Sequence, residues 1–155
     1  MRMATYRAVQ RLTSETAAYV AGLVDGEGSI MLTACHSGER RRLVVSISNT
    51  DRRMLEFVHE SVGAGCITTK RTYSQRHTQS FAYKVTNRQA LDLLSQIAPY
   101  LKTYRAVRAQ MAIERYLAVT PRNGKYPQKL CRMKDEFERE FHAVGPGPNG
   151  RPRRP

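Results

Sequence analysis

The chain has 155 residues, of which 41% are hydrophobic and 25% charged, and its 26 Lys+Arg against 13 Asp+Glu leave a net charge of +13. One domain of this length buries a core, the composition excludes a disordered polyampholyte, and no apolar run approaches the roughly 20 residues of a membrane-spanning helix. The opening MRMATYRAVQRLTSE lacks a signal peptide's apolar stretch, so the expectation is a protein that is not secreted and has no membrane partner, retained in a prokaryotic cytoplasm or nucleoid or in an organelle matrix.

A folded domain tolerates this much self-repulsion when a polyanion neutralises it, and nucleic acid is the commonest one. Charge alone equally fits a ribosomal-type or membrane-surface protein. Arginine outnumbers lysine 20 to 6, which suits forked contacts to phosphates and guanines and equally reflects a GC-rich coding sequence.

In chain order, Thr13 or Ser14 caps a helix through ETAAYVAGLVD that stops at Gly26. Ala17, Ala18, Ala21 and Gly22 leave one side of it nearly bare. A small pair four residues apart, Ala18 and Gly22, lets another helix come very close, or tucks the helix against its own sheet. The period then falls to two. Ile30, Leu32 and Ala34 alternate with Ser29, Met31, Thr33 and Cys35, HSGER turns, and Leu43, Val45 and Ile47 alternate with Arg42, Val44, Ser46 and Ser48, giving a hairpin with one apolar and one basic face. Asn49 and Thr50 cap a helix over DRRMLEFVHESV, which ends at the GAG turn of Gly63 to Gly65.

A second strand pair follows in CITTKRTY and SFAYKVT, then helix in RQALDLLSQIA, a break at Pro99, and helix again from about Lys102 to Val119. The expected class is α+β, in the order α-β-β-α-β-β-α with extra C-terminal helices, the last being QKLCRMKDEFEREFHAV. Residues 1–144 form one domain and 145–155, rich in Gly, Pro and Arg, a disordered basic tail. No acidic residue occurs from Ser61 to Leu91, whereas Lys70, Arg71, Arg76, Lys84 and Arg88 all fall there, so the positive field sits on the strands. A basic open sheet face can lie in a DNA major groove with alternate side chains reaching base edges. Period two puts Ser29, Met31, Thr33, Arg40, Arg42, Val44, Ser46, Thr68 and Lys70 on that face, joined by Arg76 and Lys84, and turns Leu32, Leu43, Val45, Ile47 and Ile67 to the core.

Cys35, Cys66 and Cys131 are unpaired in spacing and the four histidines are scattered, which supports neither disulfides nor zinc and reads as buried thiols with surface imidazoles. The chemistry lies elsewhere. Asp25 and Glu27 stand at and just after a helix C-terminus, where the macrodipole is negative and the last carbonyls lack donors, so a divalent cation can neutralise them there. Glu27 with the Gly26 carbonyl is a hard oxygen donor set suited to Mg²⁺; an acidic turn is the plainer reading of the same four residues.

The stretch AGLVDGEGSI resembles the LAGLIDADG signature of homing endonucleases, with the small residues, Asp, Gly, acid and Gly in matching order. One copy in a chain of this length is similar to the single-motif members, and the α-β-β-α-β-β-α order, over roughly residues 13 to 119, to their core with its antiparallel β-saddle. The resemblance implies a homodimeric, site-specific double-strand DNA endonuclease. In it, motif helices would pack through Ala18, Ala21, Gly22 and Asp25, and Glu27 would reach the scissile phosphates across the minor groove of a long pseudo-palindromic site. Mg²⁺ or another divalent cation would assist hydrolysis, leaving short 3′ overhangs. It further implies that Asn49 positions water and that Arg52 lies beside it. The basic residue expected five positions after Pro99 falls on Tyr104, so Lys102 or Arg105 would supply that charge. The alternative of the same fold is a non-cleaving intron RNA maturase or a DNA-binding regulator.

Overall fold

The computed structural model describes residues 6–151; the last four residues of the expected tail lie outside it. Four antiparallel strands, β1 (Gly28–Thr33), β2 (Arg42–Asn49), β3 (Cys66–Thr69) and β4 (Phe81–Thr86), form one sheet in the order β1-β2-β4-β3. The helices are α1 (Ser14–Glu27), α2 (Arg52–Val62), α3 (Asn87–Ile97), α4 (Tyr104–Arg115) and α5 (Gln128–Ala143). This is the α+β order expected from the sequence.

Each hairpin keeps its period-two register. Ile30 pairs with Val45 and Val45 with Val85, Ile47 with Tyr83 and Tyr83 with Ile67, all toward the helices. That layer merges with Val20, Val24, Leu55, Val58, Leu93 and Leu94 into one core, and at about 25 cal/mol per Å² this burial is the main favourable term of folding. Tyr83 is fully buried but keeps its hydroxyl satisfied by donating to the Ala64 carbonyl at 2.8 Å; burial pushes its phenol pKa up. Gly65, with φ 89°, passes so close to β4 that a Cβ would stand 2.5 Å from the Lys84 carbonyl oxygen, so the GAG turn requires glycine there.

Several boundaries differ from the sequence reading, each for a local reason. Thr13 is the cap of α1, accepting from Thr16 N–H at 3.2 Å, and the helix continues past Gly26 to Glu27 because the cap N–H of Gly28 still reaches the Val24 carbonyl. The cap of α2 is Asp51, whose carboxylate accepts from Arg53 N–H at 3.0 Å; Asn49 belongs to β2. The first strand ends at Thr33, before Ala34 and Cys35. Beyond Val144, which is buried, the described chain makes a 3-10 turn at Pro148–Gly150 closed by Gly147 N–H to the Arg151 carbonyl at 2.7 Å. Cys35 and Cys66 are exposed rather than buried. Among the described residues no helix is long and apolar enough to cross a membrane.

Candidate active site and nucleic-acid interface

α1 has two faces. Ala17, Val20, Ala21 and Val24, spaced as one helical stripe, are buried in the core. Ala18, Gly22 and Gly26 lie on the opposite side and are exposed, and a Cβ built on Gly22 or Gly26 would meet nothing within 4 Å. Ala21, expected at a helix–helix interface, therefore faces its own sheet: its position in the stripe with Ala17 and Val24 commits it inward. Gly28 is the opposite case from Gly22, since its Cβ would stand 2.7 Å from Val24 Cα and 2.8 Å from the Ser46 carbonyl oxygen. Only a residue without a side chain lets α1 turn directly into β1 against β2.

The C-terminus of α1 is gripped by the start of α4. Asp25, half-buried, accepts from Lys102 N–H at 2.7 Å, from Thr103 Oγ1 at 2.5 Å and from Thr103 N–H at 3.4 Å. Arg105 donates from Nε to the Gly28 carbonyl at 2.9 Å and from Nη1 to the Asp25 carbonyl at 3.0 Å. The two carbonyls it engages bracket Gly26 and Glu27. Neighbouring Arg108 bonds the Ile30 and Val144 carbonyls, each at 2.8 Å, and Tyr104 lies between the guanidiniums of Arg105 and Arg108, at 4.8 and 5.3 Å from its ring. This accounts for Tyr104 where a basic residue was expected: it is the stacking partner of two arginines that fasten α4 to β1.

Within this frame Glu27 is exposed and makes no hydrogen bond or ion pair among the described residues. Carbonyls after Val24 lack donors from their own helix, and Arg105 engages that of Asp25. One carboxylate beside a helix-end carbonyl is a hard oxygen pair of the kind that binds Mg²⁺ with waters and phosphate oxygens completing the shell. No group of three or more His, Cys, Asp or Glu gathers anywhere among the described residues to hold a metal by itself. The donors of this chain fit such an ion only as part of its shell.

The same end of the sheet carries Asn49 and Arg52. Asn49 pairs with Phe81 two residues beyond the partner of Gly28, and its Oδ1 accepts from Asp51 N–H at 2.8 Å, leaving Nδ2 to donate. Arg52 lies over the Phe81 ring at 5.3 Å and pairs with Glu56 at 2.7 Å. Lys102 is exposed, and its ammonium makes no ion pair among the described residues.

The open face of the sheet runs in rows: Thr33 with Arg42; Met31, Val44 and Thr86; Ser29, Ser46, Lys84 and Cys66; and Ser48, Ala82 and Thr68. Lys84, Thr68 and Lys70 are exposed, as is Arg76 in the 70–80 loop, while Ser29, Met31, Thr33 and Arg42 are half-buried. Val44 and Ser46 face the same way but are only 5% and 7% exposed; β2 is an interior strand and the rows on either side cover them, so they form the floor. Arg40 departs from the register altogether. It sits in the turn after β1, 2.6 Å from Asp135 of α5 and 5.3 Å from the Tyr126 ring.

The profile of the LAGLIDADG endonuclease family matches residues 20–113, more than half of the chain. The chain belongs to the LAGLIDADG endonuclease family. Among solved structures, the homing endonuclease I-CvuI in complex with its target superposes on this LAGLIDADG protein with a TM-score of 0.68 at 16% identity, over 83% of this chain and 81% of its own. The archaeal intron-encoded homing endonuclease I-Vdi141I complexed with DNA gives 0.50 at 20% identity, over 81% and 83%. I-GzeII in complex with its DNA target gives 0.62 at 17% identity, over 86% of this chain but 44% of that one. At these identities the likeness establishes the LAGLIDADG fold. No curated protein matches the sequence significantly.

Proposed function

We propose that this LAGLIDADG protein is a homodimeric homing endonuclease that hydrolyses both strands of a long pseudo-palindromic DNA site across the minor groove, leaving short 3′ overhangs. The observation that carries the reading is the contrast along α1. Glycine inside a helix costs about 1 kcal/mol relative to alanine, yet Gly22 and Gly26, with exposed Ala18, meet nothing in their own protomer. A second copy of the helix is what such a bare stripe accommodates. Tyr19 and Phe57, each nearly half exposed and 5.5 Å apart edge to face, extend the stripe with apolar surface that a partner would cover.

In the dimer each Glu27, with the Gly26 carbonyl, would hold Mg²⁺ or another divalent ion between protomer and phosphate; I-CvuI is described with both calcium and magnesium. Bound there, such an ion supplies Lewis acidity and charge neutralisation at the scissile phosphate. The chain's own groups do the rest. Asn49 donates from Nδ2 to orient the attacking water, Arg52 adds positive potential beside it, and Lys102, without an ion pair among the described residues, offsets charge developing on the phosphate. Arg105 acts differently: its donors are committed to the Asp25 and Gly28 carbonyls, so it positions Glu27. The rows from Ser29, Met31, Thr33 and Arg42 to Lys84, Thr68 and Lys70 read bases and hold the backbone of the duplex. An intron location of its gene follows from the homing role.

The test is incubation with a linear library of random inserts in Mg²⁺ and sequencing of the cut ends. Two-fold symmetric sites ending in short 3′ overhangs are expected. Sequence-selective binding without cut ends would assign the non-cleaving alternative, a maturase or regulator.

A further inference from the structure

A large cleft is lined by residues other than those of the motif. A cleft of about 1070 Å³ opens where β4 runs into α3, between the N-terminal segment and the α4–α5 connection, and Arg7, Arg42, Lys84, Arg88, Arg122 and His59 line it. No carboxylate lines it. None of the five Lys and Arg side chains makes an ion pair among the described residues, although four other arginines of the chain do. Asp92, in the adjoining smaller pocket, accepts from Tyr6 at 3.0 Å.

We propose that this cleft is a phosphate-binding site that takes the sugar–phosphate backbone of duplex DNA where it leaves the sheet. The inference rests on the DNA-binding reading above. Gathering five cations in one concavity is unfavourable unless an anion enters. α3, an 11-residue helix, adds its N-terminus: Thr86 makes no side-chain cap, the first turn holds no acid, and Thr86, Asn87, Arg88 and Gln89 all face the cleft, leaving backbone N–H donors for an oxyanion. The Nε of Arg42 is buried and finds no acceptor among the described residues.

A small-molecule pocket is mostly apolar with a few polar groups, and this lining has the opposite balance of charge. Continuity with the sheet selects the backbone of a duplex: Arg42, Lys84 and Thr86 belong to the open-face rows by register and to the cleft by position. A strand lying on that face runs on into the cleft. The architecture holds the walls in place, with Gln89 donating to the Arg7 carbonyl at 2.6 Å and Tyr116 to Asn87 at 3.0 Å.

The experiment measures binding of a random-sequence DNA duplex against salt concentration for wild type, Arg88→Gln/Arg122→Gln, and a control of equal charge loss, Arg132→Gln/Arg139→Gln on the exposed side of α5. Each lost phosphate contact lowers the slope of log affinity on log salt by about 0.9, so the cleft variant is expected to be shallower by roughly 1.8 and the control nearly unchanged. Arg88→Lys/Arg122→Lys should restore the slope, since charge rather than shape is removed. Wild type without salt-dependent duplex binding would overturn the DNA reading itself. Wild-type binding with an unchanged slope in the cleft variant, an equal drop in the control, or no rescue by lysine would overturn the cleft assignment alone. So would loss of single-stranded RNA binding with the duplex slope intact, which would give the cleft to RNA.

Discussion

Thr103 donates its hydroxyl to Asp25 at 2.5 Å across 78 residues of sequence, and that bond ties the end of the motif helix to the residue that caps α4. The motif aspartate is thereby a structural acceptor for three donors, while the motif glutamate two residues later is left open to solvent. Carboxylates so close in sequence differ in role because one faces the Lys102–Thr103 segment just ahead of α4, whose N–H groups and hydroxyl satisfy it.

Asp25→Ala should therefore act on stability as well as on the site. Loss of a hydrogen bond to a charged group costs about 1.5–3 kcal/mol, which in a domain of this size is a fall of roughly 2–4 °C in Tm per kcal/mol. Thermal unfolding followed by circular dichroism measures it. Asp25→Asn, which keeps one acceptor oxygen, should lose less.

Gly28 and Gly22 should respond in opposite senses to the same methyl group. Gly28→Ala drives a Cβ into Val24 Cα and the Ser46 carbonyl, an overpacking cost of typically about 1–3 kcal/mol. Gly22→Ala meets open space in the protomer and gains helix propensity, up to about 1 kcal/mol, yet should weaken self-association. Sedimentation equilibrium beside denaturant melts separates the two. A dimer constant unchanged by Gly22→Ala and by the bulkier Gly22→Leu would refute pairing through this face.

The register of the strands was legible because period two is local: Ile30, Val45, Ile47 and Ile67 face inward as the alternation predicts. Arg40 was not legible, since its placement depends on Asp135, 95 residues away, and a pair of that kind leaves no trace in spacing. For α1 the small residues announced a close contact, and the stripe Ala17, Val20, Ala21, Val24 carried the information that Ala21 belongs to the inner face. The bonds of Asp25 to Lys102 and Thr103 and the commitment of Arg105 to carbonyls required knowing that α4 begins beside the end of α1. The basic cleft draws Arg7, Arg42, Lys84, Arg88 and Arg122 from four separate segments, which only the β1-β2-β4-β3 order brings together.

Lys134 is fully buried on α5, donating to Thr120 Oγ1 at 2.9 Å with its ammonium 4.8 Å from the Tyr116 ring. Burial pulls its pKa down from 10.5 to about 8, with Arg40 adding to the fall and Glu138 opposing it. Nearby Tyr116 and Tyr126 have phenols raised by burial. Between pH 8 and 10.5 the unfolded chain holds this proton and the folded one does not, so the lysine's contribution to stability rises with pH across that window. The difference between wild type and Lys134→Met in denaturant melts taken from pH 7 to 11 isolates it. Lys134→Met should be the more stable at pH 7, and its advantage should shrink above pH 8.

Glu27→Gln keeps the shape of the side chain and removes the anion, so cleavage should be lost while binding to the selected site persists. Binding without metal should tighten, because an unscreened carboxylate near phosphates is repulsive. Gel-shift titration with and without Mg²⁺, beside cleavage under single-turnover conditions, measures both. Cleavage by Glu27→Gln at the wild-type rate would remove the residue from the mechanism.

Lys102 and Arg105 begin the same helix and should separate by what each substitution breaks. Lys102→Met should leave the fold untouched, since among the described residues only its backbone N–H is bonded, and it removes a charge with no other partner there; the loss should fall on the cleavage rate at saturating enzyme more than on affinity. Arg105→Met strips donors from the Asp25 and Gly28 carbonyls and from the Tyr104 stack, so it should lower the melting temperature and the cleavage rate together. Arg105→Lys keeps the charge without the fork and should recover little of either. If Arg105→Lys instead cleaves at the wild-type rate, charge and not placement is what position 105 supplies, and Arg105 joins Lys102 as a cation acting on the phosphate.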